Sequence, residues 1–364
     1  IYLGHPAHYH LFRWVMKDLR ARGHALRVLV SSKDVLEDLL RADEVDYRKV
    51  FAGRAPGRIW GLPRAIGSRG LRMLREIRSF RPMLAAGTSA EGPLIARLAG
   101  VPFINLNEDD HDAVPLYSRM AYPFSSALLM PEECRAGRWE HKTFRYPGYH
   151  ELAYLHPSRF TPDPAIAAAL REGGRPYILL RFSALQAHHD AGVRGISEEL
   201  AMEIVRRAGS ERKVVISSEK PLQASLEPFR LNTSPAQMHH VMAGADLFIG
   251  DSQTMAAEAG VLGVPFIRYN DFVGKLSYLA SLEEVWQLGF GFRPGQERDL
   301  LDTFGWLTAD EGIRMQWAGR RKALLEEKID TSAFLSWFLD RYPRSAAEMR
   351  SGSMSWERFR SAVD

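Results

Sequence analysis

Short apolar runs alternate with amphipathic stretches over almost the whole chain, and this alternation limits the fold more than any other feature. The stretch His8–Arg22 carries Leu11, Val15 and Leu19 at helical spacing. Gly23 closes it in the position where a helix ends most easily, and Leu26–Val30 follows as a strand. Pro82–Ala86, Phe103–Leu106 and Ala127–Met130 read as further strands, with a helix over Glu91–Leu98 between the first two. Beyond residue 176 the pattern resumes. Strands are expected at Tyr177–Phe182, Lys213–Ser217, Asp246–Gly250 and Pro265–Arg268, and helices at Ser197–Ala208, Pro235–Ala243 and Thr254–Leu262. Repeated strand and helix predict parallel sheets with helices on both faces, an α/β fold.

At 364 residues the chain is long for one core and comfortable for two. Between 147 and 176 the pattern breaks: prolines 147, 157, 162, 164 and 176 fall there with glycines 148, 173 and 174, leaving room for one short helix near Pro164–Arg171. The expected organisation is a doubly wound, Rossmann-like domain over 1–150, a linker over 151–175, a second such domain over 176–325 and a helical tail over 326–364. Two domains joined this way would face each other across a cleft. Ligands of open α/β sheets bind beyond the carboxyl ends of the strands, so the polar residues after each strand are the ones to read for chemistry.

Charge and cysteine content exclude several classes. A net charge of +4 is too small to point to nucleic acid. No apolar run approaches the roughly 18–20 residues that span a bilayer, and no signal peptide is visible. Cys134 is the only cysteine, which rules out an intramolecular disulfide and a cysteine-rich zinc site and suits a reducing cytoplasm. Residues 54–81 hold eight arginines against one acid, Glu76. Such a stretch is either a solvated face or a surface for an anionic partner, a phosphorylated substrate or the inner face of a membrane.

The most informative segment runs from Ala245 to Pro265. An apolar strand ends at Gly250, Ser252 or Thr254 can cap the next helix, and the backbone N–H groups at 253–255 would face a diphosphate with the helix dipole behind them. Glu258, six residues after Ser252, could accept hydrogen bonds from both hydroxyls of a ribose. The spacing by itself is equally that of a plain capped helix with a surface glutamate. The stretch resembles the nucleotide-binding element of the GT-B superfamily, which includes UDP-N-acetylglucosamine 2-epimerases and MurG-like glycosyltransferases. The epimerases carry Ser-Gly-Gly-x-x-Glu-Glu there. Ser252 and Glu258 match its serine and ribose-binding glutamate, while Gln253 and Thr254 stand where the glycines are.

A likeness over nearly the whole chain is to the DUF354 family, a GT-B-like group. It is carried by His5-Pro6-Ala7-His8-Tyr9-His10, by His150 to Pro157, by Arg181-Phe182 with His188-His189-Asp190, and by Gly250–Glu258 through Arg268. The resemblance implies that Arg181, Ser183, His188, His189, Ser252, Gln253, Thr254, Glu258 and Arg268 bind substrate. It also implies a histidine in the first loop, and His8, at a helix start, is the first choice for a general base. Glu108 falls near a catalytic glutamate of the epimerases. Two departures argue against epimerisation: Gly87-Thr88-Ser89 stands where those enzymes have an aspartate, and His5-Pro6 where they have an arginine.

These observations lead to an expected GT-B glycosyltransferase, needing no metal or other cofactor. A nucleotide-sugar, UDP-linked by resemblance, would bind the second domain. The acceptor, a surface-polysaccharide or glycolipid precursor, would bind the first. The alternatives are a nucleotide-sugar 2-epimerase or hydrolase, and a GT-B-fold binding protein without catalysis.

Overall fold

The computed structural model describes residues 1–31, 34–51, 62–183, 195–310 and 312–360. The chain divides into two compact units. The first comprises Ile1–Tyr154 and the stretch from Ile329 to residue 360; the second is Leu155–Lys328. Among the described residues no helix is long and apolar enough to cross a membrane.

The first unit is built on strands β1 (Tyr2–Leu3), β2 (Val28–Ser31), β3 (Tyr47–Phe51), β4 (Ala85–Gly87), β5 (Phe103–Leu106), β6 (Ala127–Pro131) and β7 (Thr143–Tyr146). They pair in parallel in the order β3-β2-β1-β4-β5-β6-β7. The crossovers are α1 (Pro6–Ala21), α2 (Asp34–Ala42), α3 (Leu62–Phe80), α4 (Gly92–Leu98) and α5 (Pro115–Ala121), and α6 (Leu152–Leu155) leads out of the unit. The strand order reverses between β1 and β4, a switch point at which the connections leave in opposite directions and open a crevice. Gly87 makes that pairing possible: its φ is +151°, and a Cβ there would lie 2.5 Å from the Tyr2 carbonyl oxygen. β3 and β7 are not evident from hydrophobic runs. Polar or charged residues (Arg48 and Lys49 in β3, Thr143 and Arg145 in β7) dilute the apolar signal, and the two strands lie at opposite edges of the sheet.

The second unit repeats the plan with β8 (Tyr177–Phe182), β9 (Lys213–Ser218), β10 (Leu247–Gly250), β11 (Phe266–Tyr269) and β12 (Gly289–Phe292), ordered β12-β11-β10-β8-β9 and again parallel. Its switch point lies between β8 and β10. The helices are α7 (Pro164–Leu170), α8 (Glu198–Ala208), α9 (Met238–Gly244), α10 (Gln253–Leu262), α11 (Ser277–Ala280), α12 (Glu297–Ala309) and α13 (Ile313–Glu327). The Pro/Gly-rich stretch expected as a linker is ordered here. Asp163 caps α7 through the Ala165 N–H, and its own N–H donates to His240 Nδ1 at 2.9 Å.

The C-terminal stretch belongs to the first unit, through α14 (Thr331–Asp340) and α15 (Arg344–Arg350). Asp330 caps α14, Thr331 Oγ1 donates to the Tyr149 carbonyl at 2.9 Å, and Ser332 Oγ to that of Ala153 at 2.7 Å. Small hydroxyl side chains thus let α14 approach the backbone closely. Its aromatic residues then fill the gap: the Phe334 ring lies 5.2 Å from Tyr146 and Phe338 5.4 Å from Phe144. Phe334→Ala removes a fully buried ring at this seam and is expected to cost about 3–5 kcal/mol. Chemical denaturation followed by tryptophan fluorescence measures it; a loss below about 1 kcal/mol would mean that α14 is not integral to the core.

Candidate functional site

At the carboxyl end of the second sheet, β10 delivers Asp251 and then Ser252. Ser252 caps α10, accepting the Met255 N–H at 3.3 Å. This takes one of the three N–H groups expected to face a diphosphate and leaves Gln253 and Thr254, whose N–H groups have no acceptor a turn earlier. Asp251, to which the sequence reading assigned no role, spans the switch point: its Oδ1 accepts the Ser183 N–H at 2.7 Å. Burial pushes its carboxyl pKa up, while the bonds from Ser183 and the charges of Lys220 and Arg181 oppose the shift. The signal for Asp251 was its place, directly after the central strand and before the cap.

Three residues expected to touch substrate are tied into hydrogen-bond networks of the fold. Arg268 is 0% exposed. Its Nε donates to Glu283 Oε1 at 2.9 Å and its Nη1 to Gln253 Oε1 at 2.7 Å. Gln253 completes the chain by donating to Asn270 Oδ1 at 3.2 Å, and Asn270 reaches the Asp251 carbonyl at 3.0 Å. The side chains of Arg268 and Gln253 therefore brace β11 against α10 instead of lining a ligand surface. Arg181 is held likewise. Parallel register sets it beside Ser217, to which Nη1 donates at 2.7 Å, and Nη2 pairs with Glu219. Full burial removes Arg268 from any ligand surface and corrects the expectation for it; Arg181 is partly exposed and already engaged with an acid. His188 and His189 lie outside the described residues.

Glu258 is not the surface glutamate of the plain reading. It is 4% exposed, and His239 of α9 meets its Oε1 through Nε2 at 3.0 Å. Nothing in the sequence pattern linked these two, because the contact joins separate helices.

In the first unit, β1 ends at a histidine-rich helix start. His5 caps α1, accepting the Ala7 N–H at 3.2 Å. His8 Nδ1 accepts the Gly4 N–H at 3.2 Å. A neutral His8 so engaged carries its proton on Nε2 and presents a donor. This corrects the expectation of a base at His8. His10 stacks at 5.1 Å from Tyr154, a packing contact.

Glu108 follows β5, two strands from β1, a separation of about 10 Å in the sheet. Its Oε2 lies 3.3 Å from His150 Nδ1, and the two side chains are 16% and 12% exposed. Burial lowers the His150 pKa to about 4, with Glu151 and Asp109 pulling it back. Tyr146 lies in the same buried polar cluster, where burial raises its pKa and Glu108 adds to the rise. Cys134 donates its thiol to the Glu108 carbonyl, tying down the backbone that carries the acid. Asp110, two residues after Glu108, is fully buried and accepts the Arg135 N–H at 2.7 Å, so it serves the loop.

Two outcomes are expected from these networks. Arg268→Ala strands Glu283, whose pKa burial already raises, and should cost about 3–5 kcal/mol in chemical denaturation, largely restored when Glu283→Met accompanies Arg268→Met. His150 titrates lower in the fold than its ordinary 6.5. Its contribution is therefore complete above pH 6.5 and lost as pH falls towards 4. Wild type should lose about 2–3 kcal/mol more than His150→Gln between pH 7 and 4.5. Equal losses in the two proteins would contradict the buried neutral state.

Solved structures with this arrangement are numerous. A Staphylococcus aureus protein, in the MnaA–UDP co-structure, aligns over 96% of this chain and 96% of its own at 12% identity and a TM-score of 0.66. A protein of Listeria monocytogenes provisionally named UDP-N-acetylglucosamine 2-epimerase aligns over 87% and 89% at 12% identity, TM-score 0.64. The calicheamicin glycosyltransferase CalG4 aligns over 95% and 97% at 15% identity, TM-score 0.60. No protein-family model matches the chain, and no curated protein matches its sequence. At such identities the likeness is one of fold, and the fold is GT-B: two parallel-sheet, Rossmann-like units.

Proposed function

We propose that this chain is a metal-independent GT-B glycosyltransferase that binds a UDP-linked sugar in its second unit. The observation that carries the reading is the amino end of α10 at the β8/β10 switch point. Ser252 caps it, the Gln253 and Thr254 N–H groups lead it, Ser183 stands across the crevice on Asp251, and Glu258 lies six residues into the helix. Peptide dipoles and N–H groups there would stabilise a leaving diphosphate, and Glu258 would accept the ribose hydroxyls. Solved proteins of this fold include one with UDP and several glycosyltransferases.

Glu108, with His150 beside it, would take the acceptor proton, and His8 would donate from Nε2 to the acceptor. Kinship with the DUF354 group and a cytoplasmic location belong to the same proposal. So does an acceptor from surface-polysaccharide or glycolipid synthesis, carried on a lipid. Contact with the inner face of a membrane through the arginine-rich segment 54–81 is supported on α3 by exposed Arg72, Arg75 and Arg78 beside Leu71, which is 59% exposed. Leu98 of α4, 62% exposed, adds to the same apolar surface. Arg54 and Arg58 lie outside the described residues.

A second reading, a nucleotide-sugar 2-epimerase or hydrolase, is favoured by the buried Glu108–His150 pair and by the Listeria likeness. Calorimetry and thermal shift with UDP, GDP, CDP, dTDP and their sugars test the donor site. One diphosphate is expected to bind wild type and not Glu258→Ala, with a stabilisation of about 2.7 kcal/mol at 100 times its Kd. Turnover of the sugar nucleotide without acceptor, followed by NMR, would select the second reading. Failure of every nucleotide to bind would leave a GT-B-fold binding protein of another kind.

A further inference from the structure

The donor-site reading gives Glu258 a ligand but no account of what aims it. We infer that His239 is a positioning residue: it holds the Glu258 carboxyl group in the orientation that accepts both ribose hydroxyls, and so sets the preference for ribonucleoside over deoxyribonucleoside diphosphates. This deepens the donor-site reading and rests on it.

The Glu258 side chain is 6% exposed and that of His239 13%, with 3.0 Å between Nε2 and Oε1. A carboxyl group so withdrawn from water needs donors around it. Away from water, a hydrogen bond is also stronger than on the surface and fixes geometry more firmly. A glutamate has three side-chain torsions, and a single fixed contact at its tip removes most of their freedom. The imidazole is itself fixed. α9 packs on α10, and the His239 ring stands edge-on to Phe160 at 6.2 Å.

The donor inventory favours the same role. For Nε2 to donate, the ring must carry its proton there, and Oε1 then accepts one bond. A carboxyl group has about four lone-pair sites, so one bond from an imidazole does not exhaust it. The vicinal diol of a ribose supplies two hydroxyl donors; a 2′-deoxyribose supplies one. From the cap at Ser252 to Glu258 the helix rises about 9 Å.

The test compares UDP with 2′-deoxy-UDP by calorimetry on wild type, His239→Ala and His239→Gln. Wild type should prefer UDP by about five- to tenfold, the value of one hydrogen bond. In His239→Ala the preference should collapse to within about twofold of unity, through weaker UDP binding with 2′-deoxy-UDP little changed. His239→Gln, which keeps an N–H donor of similar reach, should retain most of the preference and guards against a loss caused by misfolding. Equal weakening of both nucleotides in His239→Ala would reduce His239 to a structural prop, and an unchanged preference would remove it from the site; either result overturns the inference. Failure of wild type to bind UDP is a different outcome. It defeats the donor-site reading, and the inference with it.

Discussion

Two arginines occupy one level of the second unit's sheet, on either side of Gly250. Register pairs Gly250 with Arg181 of β8 and with Arg268 of β11. The strands between them are spaced at about 4.8 Å, so two cations sit roughly 10 Å apart at the carboxyl edge of a buried sheet. Neither tolerates that position unpaired. Each has therefore recruited an acid, Glu219 for Arg181 and Glu283 for Arg268, and the Arg268 pair extends through Gln253 and Asn270 to the backbone of Asp251. The loop that ends in the Ser252 cap is held from below by this network. Cations that resemble phosphate ligands in the sequence are instead the foundation under the start of α10.

The first unit solves a related problem with different chemistry. Behind β5 to β7, Glu108, His150, Glu151 and Tyr146 crowd a buried region. Burial keeps His150 neutral at ordinary pH, so the glutamate beside it meets an imidazole and no full positive charge. A carboxyl group kept in such company is suited to moving a proton, whereas one clamped by an arginine is not. His8, two strands away, offers a donor because its Nδ1 is spent on the Gly4 N–H.

Much of the architecture was legible in the chain. Buried parallel strands must be almost wholly apolar, and β5, β6, β8 and β10 stand out as such runs. Helix ends were legible where a single residue decides them, as with Gly23, whose positive φ follows the end of α1. The edge strands β3 and β7 were not, since polar or charged residues in each dilute the apolar signal. Nor was the return of α14 to the first unit, because its amphipathic pattern names a buried face without naming what buries it.

The candidate site divides along the same line. Sequence alone narrowed the cap of the helix after a central strand to Ser252 or Thr254 and placed Glu258 on that helix, because both are matters of local backbone geometry. It also determined that a glutamate would follow β5. Only the tertiary structure decided what each polar group faces. His239 and Glu258, Glu108 and His150, and Arg268 and Glu283 are pairs from separate elements. Whether a charged side chain serves a ligand or the fold depends on the partner that packing brings within about 3 Å of it, and that distance is fixed by the assembly of elements and not by their order along the chain.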